Sequence, residues 1–221
     1  MFAERFVLGT HNPDKARELV DLFTELFEDP LVVLPIEIDR IVHAFVVQNA
    51  ADNTPVPHLD IVPNVEENGA TLEENARIKA RAWCKAVQLP ALSEDTGLFV
   101  DALDGQPGIH AARYAGEHVT YEDNWRKLLQ ELQYESAEKR SAHFATVALI
   151  SWPDGREVSA LGVVHGMIAT ESRGSGGMGY DPVFIPEGST LTFAEMPDDT
   201  KNEISHRARA VRALTEKLQA G

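Results

Sequence analysis

The chain has 221 residues, of which 43% are hydrophobic and 25% are charged, and this composition is typical of a globular protein with a sizeable core. Its 35 acidic and 20 basic residues give a formal net charge of -15, which disfavours long nucleic acids and anionic membranes as partners but allows a small anion in a local basic pocket. The single cysteine, Cys84, excludes an intrachain disulfide framework and predicts a reducing, cytoplasmic location, and the sequence shows neither a signal-peptide pattern nor a membrane-spanning run.

The first predicted elements are a strand and an amphipathic helix. An apolar run over Arg5–Gly9 predicts the strand, and Asn12 can cap a helix whose apolar residues recur at helical spacing. A helix N-terminus attracts phosphate, and Lys15 would add a full charge, although simple capping by Asn12 is an equally good interpretation. Residues 30 to 65 contain β-prone runs at Leu31–Leu34 and Ile41–Val47, and we interpret them as an elaboration of the domain.

A second helix is predicted to begin after Thr71. Thr71 and Glu74 have the spacing of a capping box. Asn75 and Lys79 then share one face of the helix, four residues apart, and can point at one ligand. Glu66 and Glu67 precede this helix in an acidic turn, and one of them could join Asp95 at a cation, although a solvated turn is the commoner outcome for such a run.

The next segment, Ser93-Glu94-Asp95-Thr96-Gly97-Leu98, places two adjacent carboxylates between apolar runs, and it predicts a bend between two short strands. Adjacent carboxylates repel each other and are costly to bury unless a cation compensates. A divalent metal is the usual compensation, and hard oxygen ligands of this kind suit Mg2+. An acidic surface turn is the competing interpretation.

The C-terminal half combines helices with alternating strands. A helix is predicted over 120–133, and two β-rich segments around a Pro153-Asp154-Gly155 turn predict an antiparallel hairpin. The glycine-rich segment 172–179 is either a flexible loop or a ligand contact, in which Tyr180 could flank a flat base and Asp181 could accept from its edge. Thr200 and Glu203 have the spacing of another capping box, which would open a last helix carrying Lys201, His206 and Arg207 near its start.

Together these motifs resemble the Ham1-like family of non-canonical purine nucleoside triphosphate pyrophosphatases, also called ITPases. The resemblance is carried by Thr10-His11-Asn12 with Lys15, by Glu67 ahead of Glu74-Asn75-Ala76 and Lys79, by Glu94-Asp95-Thr96-Gly97-Leu98, by Pro107-Gly108-Ile109 with Ala112-Arg113-Tyr114, by Gly176-Gly177-Met178-Gly179-Tyr180-Asp181-Pro182, and by Ile204-Ser205-His206-Arg207. The ordered set is far more specific than any one of these motifs.

The resemblance implies a fold and an activity. The expected fold is α/β, a long mixed sheet with flanking helices in two lobes around a central cleft, forming one domain over residues 1–221 that is usually a homodimer. The expected activity is Mg2+-dependent hydrolysis of ITP, dITP and XTP to the monophosphate and pyrophosphate. Two alternatives remain open: a pyrophosphatase for other modified nucleotides and a nucleotide-binding module without catalysis.

The resemblance also assigns roles to residues. Glu67 and Asp95 would hold the metal, and Asp95 would also accept the proton of the attacking water. Met178 stands where the family usually has a phenylalanine that stacks on the base. The remaining residues implied to bind substrate are Thr10, His11, Asn12, Lys15, Lys79, Thr96, Met178, Gly179, Tyr180, Asp181, Lys201, His206 and Arg207.

Overall fold

The architecture is mixed α/β. A computed structural model describes residues 5–10, 12–26, 31–38, 41–59, 63 and 65–220. Its helices are α1 (Pro13–Leu26), α2 (Leu72–Val87), α3 (Tyr121–Glu131), α4 (Asp198–Ile204) and α5 (His206–Ala220), and its strands are β1 (Phe6–Leu8), β2 (Leu31–Ile38), β3 (Ile41–Asn49), β4 (Ala91–Val100), β5 (Pro107–Gly108), β6 (Ser141–Ser151), β7 (Glu157–Ile168) and β8 (Phe184–Pro186). Within these residues, no helix is both long and apolar enough to cross a membrane.

The described strands form an eight-stranded sheet in the order β2-β3-β1-β4-β6-β7-β8, with β5 beside β4. Strand β1 runs parallel to β4, with Val7 opposite Ala91, and antiparallel to β3, with Val7 opposite Val46. The β2–β3 and β7–β8 pairs are also antiparallel. The sheet is therefore mixed, as the sequence predicts.

The chain divides into two compact units. The first comprises Met1–Asp95, Val147–Leu161 and Arg209–Gly221, and the second comprises Thr96–Thr146 and Gly162–Ala208. Each unit has its own apolar core. Trp83 and Val46 belong to the core of the first, and in the second Phe144 packs edge-on against Phe184 with ring centroids 4.7 Å apart.

Most local predictions agree with the structure. The predicted first strand is β1, the two β-prone runs lie in β2 and β3, and the Thr71 hydroxyl caps α2 by accepting a hydrogen bond from the backbone N–H of Glu74 at 3.1 Å. The predicted helix over 120–133 is α3, which begins with a complete capping box between Thr120 and Asp123. These segments carry caps and apolar periodicity that local sequence is sufficient to specify.

Two local predictions are wrong. Glu94 and Asp95 do not lie in a bend, because β4 runs through them as one strand from Ala91 to Val100. Thr200 does not cap the last helix, because α4 begins earlier, at Asp198, and ends at Ile204. Ser205 then leaves the helical conformation, with φ -64° and ψ 157°, and α5 begins at His206.

Candidate active site

The two adjacent acids Glu94 and Asp95 are buried in β4, with only 3% and 7% of their surfaces exposed. Successive side chains of a strand point to opposite faces. In agreement, the Glu94 carboxylate contacts Lys15 of α1, whereas the Asp95 carboxylate contacts Lys79 of α2. The pleat of the strand therefore separates two charges that adjoin in sequence, and each acid is compensated by its own lysine.

Lys15 is placed by the capped start of α1. The Asn12 side-chain oxygen accepts hydrogen bonds from the backbone N–H groups of Asp14 and Lys15, at 3.0 and 3.2 Å, and the Thr10 hydroxyl accepts one from Asn12. Lys15 Nζ lies 3.2 Å from Glu94 Oε1. The helix start is thus both a cap and the support of a cation, so the two interpretations of this segment are compatible. His11 lies outside the described residues.

Lys79 joins the two carboxylates predicted to hold a metal. Its Nζ donates to Glu67 Oε2 at 2.7 Å and to Asp95 Oδ1 at 2.8 Å. Residues far apart in sequence thus converge on one cationic group, which occupies the position between two carboxylates where a cation is most stabilised.

Asn75 supports Asp95 from the same helix face. Its Nδ2 donates to Asp95 Oδ2 at 3.3 Å, and its Oδ1 accepts from the backbone N–H of Gly69 at 2.8 Å. Asn75 and Lys79, which the sequence predicts to point at one ligand, both contact the Asp95 carboxylate. Since Gly69 follows Glu67 by two residues, Asn75 also anchors the loop that brings Glu67 to the site.

The two carboxylates have pKa values that shift in opposite directions. Burial raises the pKa of Asp95, and the neighbouring Glu67 charge adds to this effect against the opposing influence of Lys79. Although burial acts in the same upward direction on Glu67, the charge and hydrogen bond of Lys79 hold the pKa of Glu67 below its ordinary value. The pair therefore offers one acid that stays ionised and a second, Asp95, that takes up a proton more readily.

The donor set fits a hard divalent cation. Among the described residues, no group of three or more His, Cys, Asp or Glu side chains could hold a metal by itself. Mg2+ is usually bound through one or two carboxylates together with substrate phosphates, and Glu67 and Asp95 supply two converging carboxylates. The side chains of this site therefore fit Mg2+ held jointly with a phosphorylated substrate.

In the second unit, the glycine-rich segment is fixed by a buried ion pair. Asp181 Oδ2 accepts hydrogen bonds from the backbone N–H of Met178 and from Lys201 Nζ, both at 2.7 Å. A Cβ atom on Gly177 would lie 2.1 Å from that same oxygen, and Gly177 has a φ of +70°, so only glycine fits there. The segment is therefore an ordered turn. The Asp181 carboxylate stabilises this turn and also pairs with Lys201.

Tyr180 is 4% exposed, and its hydroxyl donates to the carbonyl oxygen of Ala111 at 2.8 Å. Most of its ring packs in the core of the second unit. Met178, by contrast, is half-buried, and it directly follows Gly177, whose φ is positive. Of these side chains, Met178 is the more accessible to a ligand.

His206 and Arg207 begin α5, and each is 3% exposed. The Nδ1 atom of His206 lies 2.6 Å from the hydroxyl of Thr146, which in turn lies 2.7 Å from the hydroxyl of Thr96. The structure thus links two sequence-predicted residues, Thr96 and His206, through one that sequence reasoning missed. A hydroxyl within the apolar run of β6 was the signal that could have pointed to Thr146.

Eight of the predicted site residues lie in three contact sets: Lys79 with Glu67 and Asp95, Lys201 with Asp181 and the Met178 backbone, and Thr96 with His206 through Thr146. Lys15 does not contact the two predicted metal ligands; it pairs with Glu94, which sequence reasoning left without a clear role. Thr10 and Asn12 instead support the start of α1.

Comparison with known proteins places the chain among nucleotide pyrophosphatases. A model of the Ham1 family matches residues 6–217. A dITP/XTP pyrophosphatase of Caldanaerobacter subterraneus subsp. tengcongensis is 40% identical over 213 residues, which are 96% of this chain and 94% of that protein. The dITP/XTP pyrophosphatase of Bacillus subtilis is 37% identical over 214 residues, which are 97% and 96% of the two chains.

Solved structures show the same fold. The Ham1 protein of Staphylococcus aureus superposes with a TM-score of 0.72 at 32% identity, over 97% of this chain and 98% of that one. A nucleoside-triphosphatase, also named dITP/XTP pyrophosphatase, from Mycobacterium abscessus superposes with a TM-score of 0.63 at 34% identity, over 94% and 96%. Both similarities extend over nearly the full length of each chain.

Proposed function

Because the chain belongs to the Ham1 family, we propose that it hydrolyses the deaminated purine nucleotides ITP, dITP and XTP to the monophosphate and pyrophosphate. The observation that carries the proposal is the convergence of Glu67 and Asp95 on Lys79. Relatives named dITP/XTP pyrophosphatase, which match this chain over almost its full length, support the substrate class.

In the proposed mechanism, Glu67 and Asp95 would hold Mg2+, and the ion would supply positive charge for the phosphate oxygens and for the departing pyrophosphate. Asp95 orients the attacking water and accepts its proton, a role open to a carboxylate that lies beside the reacting phosphate. Asn75 keeps the Asp95 carboxylate in one orientation through its hydrogen bond to Oδ2.

The cationic side chains bind the triphosphate in this proposal. Lys15 and Lys79 supply positive charge beside the acidic side chains of the first unit. Without these lysines, the carboxylates would repel the phosphates of the substrate. Lys201 and Arg207 supply it in the second unit, both from buried positions that hold their charge in a fixed place.

Base selection would rest on the 6-position of the purine. A donor aimed at the 6-oxo oxygen of hypoxanthine or xanthine meets the 6-amino group of adenine donor to donor. A buried mismatch of this kind costs about 1–3 kcal/mol for each group. We propose that Met178 and Gly179 contact the base, since Met178 is half-buried beside the ordered turn.

The test is pyrophosphate release from ITP, dITP and XTP compared with ATP and GTP, with Mg2+ and with EDTA. We expect the three deaminated nucleotides to be preferred and EDTA to stop turnover. Equal rates on ATP and ITP would overturn the proposed specificity, and full activity in EDTA would overturn the metal requirement.

A substitution identifies the centre of the reaction. We expect Asp95→Asn to lower kcat by about a thousandfold because it removes the proton acceptor and a metal ligand. The exposed Asp154→Asn, which removes one carboxylate from the surface, is the matched control and should remain active. Near-normal turnover by folded Asp95→Asn protein would contradict the mechanism.

A second candidate, a pyrophosphatase for other modified nucleotides, is favoured by Met178. Methionine packs on a ring without offering the π-face of an aromatic side chain, and it adapts to different shapes. A panel of modified purine and pyrimidine triphosphates decides between the two: a better substrate than ITP or XTP in that panel would favour this candidate. Tight nucleotide binding without any product would instead indicate a binding module.

We also propose that residues 1–221 act as one domain, that the protein is a homodimer and that it works in the cytoplasm, as the family resemblance and the single cysteine suggest. Light scattering coupled to size-exclusion chromatography measures the mass in solution. A mass equal to one chain, 24.4 kDa, at micromolar concentration would contradict the dimer.

A further inference from the structure

Lys79 bridges the two carboxylates that are proposed to hold the divalent cation. Its Nζ donates to Glu67 Oε2 at 2.7 Å and to Asp95 Oδ1 at 2.8 Å, and all three residues belong to the first unit. Both distances are those of charge-assisted hydrogen bonds. A positive group of the chain itself is therefore bound by the same pair of acids that would bind Mg2+.

The ammonium of Lys79 and a divalent cation need the same acceptors. Mg2+ takes carboxylate oxygens as ligands, and an ion on Glu67 Oε2 and Asp95 Oδ1 would use the acceptors of both Lys79 hydrogen bonds. The ion and the ammonium also repel each other, and this repulsion is strong in a site with little water. Simultaneous binding of both cations by these two oxygens is therefore unfavourable.

The structure allows the Lys79 ammonium to move while the acids stay in place. The Lys79 side chain is 15% exposed, and a flexible four-carbon stem joins its ammonium to α2. Asp95 Oδ2 is held separately by Asn75 Nδ2 at 3.3 Å, and Asn75 Oδ1 accepts from the backbone N–H of Gly69. Asn75 therefore fixes both Asp95 and the loop of Glu67 independently of Lys79.

We propose that Lys79 and the divalent cation exchange at the Glu67–Asp95 pair: Lys79 leaves the two carboxylates when the cation binds, and its ammonium then donates to a phosphate oxygen of the substrate. The inference rests on the proposed function for the identity of that substrate. A phosphate that accepts from Lys79 also frees the carboxylates for the cation, so the cation and the triphosphate each strengthen binding of the other. We call this displacement the lysine–metal exchange.

The affinity for Mn2+ in the absence of nucleotide tests the lysine–metal exchange. Mn2+ prefers the same oxygen ligands as Mg2+, and its electron paramagnetic resonance signal reports the free ion. Lys79→Met removes the competing ammonium and keeps an unbranched stem. Lys15→Met is the matched control, since the charge of Lys15 also reaches both carboxylates, whereas its ammonium pairs with Glu94 at 3.2 Å. Each variant is first checked for cooperative unfolding.

We expect Lys79→Met to bind Mn2+ about tenfold more tightly than the unaltered protein, because no ammonium has to be displaced. Lys15→Met should lower the Kd by about threefold at most, which is the part that a more negative site contributes without any exchange. Equal gains in the two variants would mean that only the overall charge matters, and they would overturn the exchange. Unchanged or weaker Mn2+ binding by Lys79→Met would overturn it as well.

Nitrogen NMR of the lysine ammonium groups follows the exchange in the unaltered protein. Lys79→Arg, which keeps the charge, identifies the Lys79 signal. We expect added Mg2+ to move that signal toward those of exposed lysines, while the signal of Lys201, which pairs with Asp181 at 2.7 Å in the second unit, stays in place. A Lys79 signal that does not move at saturating Mg2+ would overturn the exchange. If no nucleotide is hydrolysed, the proposed function fails, while the Mn2+ and NMR results still decide on the exchange.

Discussion

Lys79 is the residue on which the charge balance of the first unit depends. Its ammonium group faces Glu67 and Asp95 at 2.7 and 2.8 Å, and burial lowers its pKa while the two carboxylates raise it, with a net upward shift. Without this cation, two carboxylates would face each other in a largely dry site. The lysine therefore stabilises the folded protein as well as binding substrate in the proposed reaction.

Replacing Lys79 by methionine tests its contribution to stability. We expect Lys79→Met to lower the free energy of unfolding at pH 7 by about 2 kcal/mol, less than a fully buried pair because Glu67 is partly exposed. Urea denaturation measures the change. Lys79→Arg keeps the charge and is the control, and we expect it to recover most of the loss.

The loss of stability in Lys79→Met should depend on pH. In the unaltered protein, Lys79 lowers the pKa of Glu67, so this stabilisation is present above the ordinary pKa of 4.5 and is lost as the pH falls through the lowered value. The deficit of Lys79→Met in the free energy of unfolding should therefore stay constant from pH 7 down to 4.5 and shrink as the pH falls below 4.5. A deficit that stays constant with pH would mean that packing of the lysine stem, and not its charge, is what was lost.

His143 gives a separate pH effect in the second unit. Burial lowers its pKa, the neighbouring His165 lowers it further, and Asp101 opposes the shift. A folded state that binds this proton more weakly than the unfolded chain loses stability as the pH falls through 6.5. His143→Phe should therefore lose less stability between pH 7.5 and 5.5, while its ring keeps the stack on Phe99 that the imidazole makes at 5.0 Å.

The free energy of unfolding is measured against pH for His143→Phe and for the unaltered protein, and the two series are subtracted. The contributions of the other titrating groups are common to both proteins and cancel. His118→Asn is a suitable control, since His118 is exposed and Asn tolerates its φ of 57°. A pH slope that is equal in His143→Phe and in the unaltered protein would contradict the effect assigned to His143.

At the scale of elements, local sequence signals predict where helices begin. Contacts between distant segments decide whether a polar segment such as Glu94-Asp95 becomes a turn or a buried strand. The caps at Thr71 and Thr120 identify α2 and α3, because a cap and its apolar stripe lie within one short window. Glu94 and Asp95 look like a turn, because the two lysines that make their burial tolerable come from α1 and α2. The sequence alone cannot show that such compensation exists.

The break between α4 and α5 illustrates a second limit. Ser205 carries no glycine or proline signal, yet its φ and ψ end one helix, and its hydroxyl accepts from the backbone N–H of Ala208 at the start of the next. The candidate site residues around it were predicted by motif. The sequence motifs also singled out Asn75 and Glu94, but they did not predict Thr146, because its contacts to Thr96 and His206 depend on how the strands and helices pair.

The cap of α2 gives a test at this scale, since α2 carries Asn75 and Lys79. We expect Thr71→Ala to destabilise the protein by about 1 kcal/mol in urea denaturation, because the N–H of Glu74 loses its acceptor. Thr71→Ser preserves the acceptor and should be close to the unaltered protein. Equal stability of all three proteins would show that the Thr71 hydroxyl does not stabilise α2.

At the scale of the whole molecule, a net charge of -15 coexists with buried cations. The parallel pairing of β1 with β4 brings α1, which follows one strand, and α2, which precedes the other, to the same acidic strand. The composition gives the overall charge directly. No pattern in the sequence predicts the parallel pairing of β1 with β4. Local positive charge for a small anion is therefore compatible with a surface that repels polyanions.

This balance predicts that the protein does not bind long nucleic acids. We expect no change in the fluorescence anisotropy of a labelled DNA duplex at micromolar protein and physiological salt, because phosphate contacts dominate such binding and the net charge opposes them. A basic DNA-binding protein serves as the positive control. Salt-sensitive binding of the duplex would contradict the prediction and indicate a basic surface patch.

The alternation of Glu94 and Asp95 along β4 limits how the length of this chain can vary. One residue inserted between Ala91 and Glu94 would turn every later side chain of the strand to the opposite face. Glu94 would then meet the helix that serves Asp95, and the lysines of α1 and α2 would exchange partners. Homologous sequences should therefore show insertions and deletions in segments such as 50–59, which has no regular strand or helix, and a constant spacing from Ala91 to Asp95.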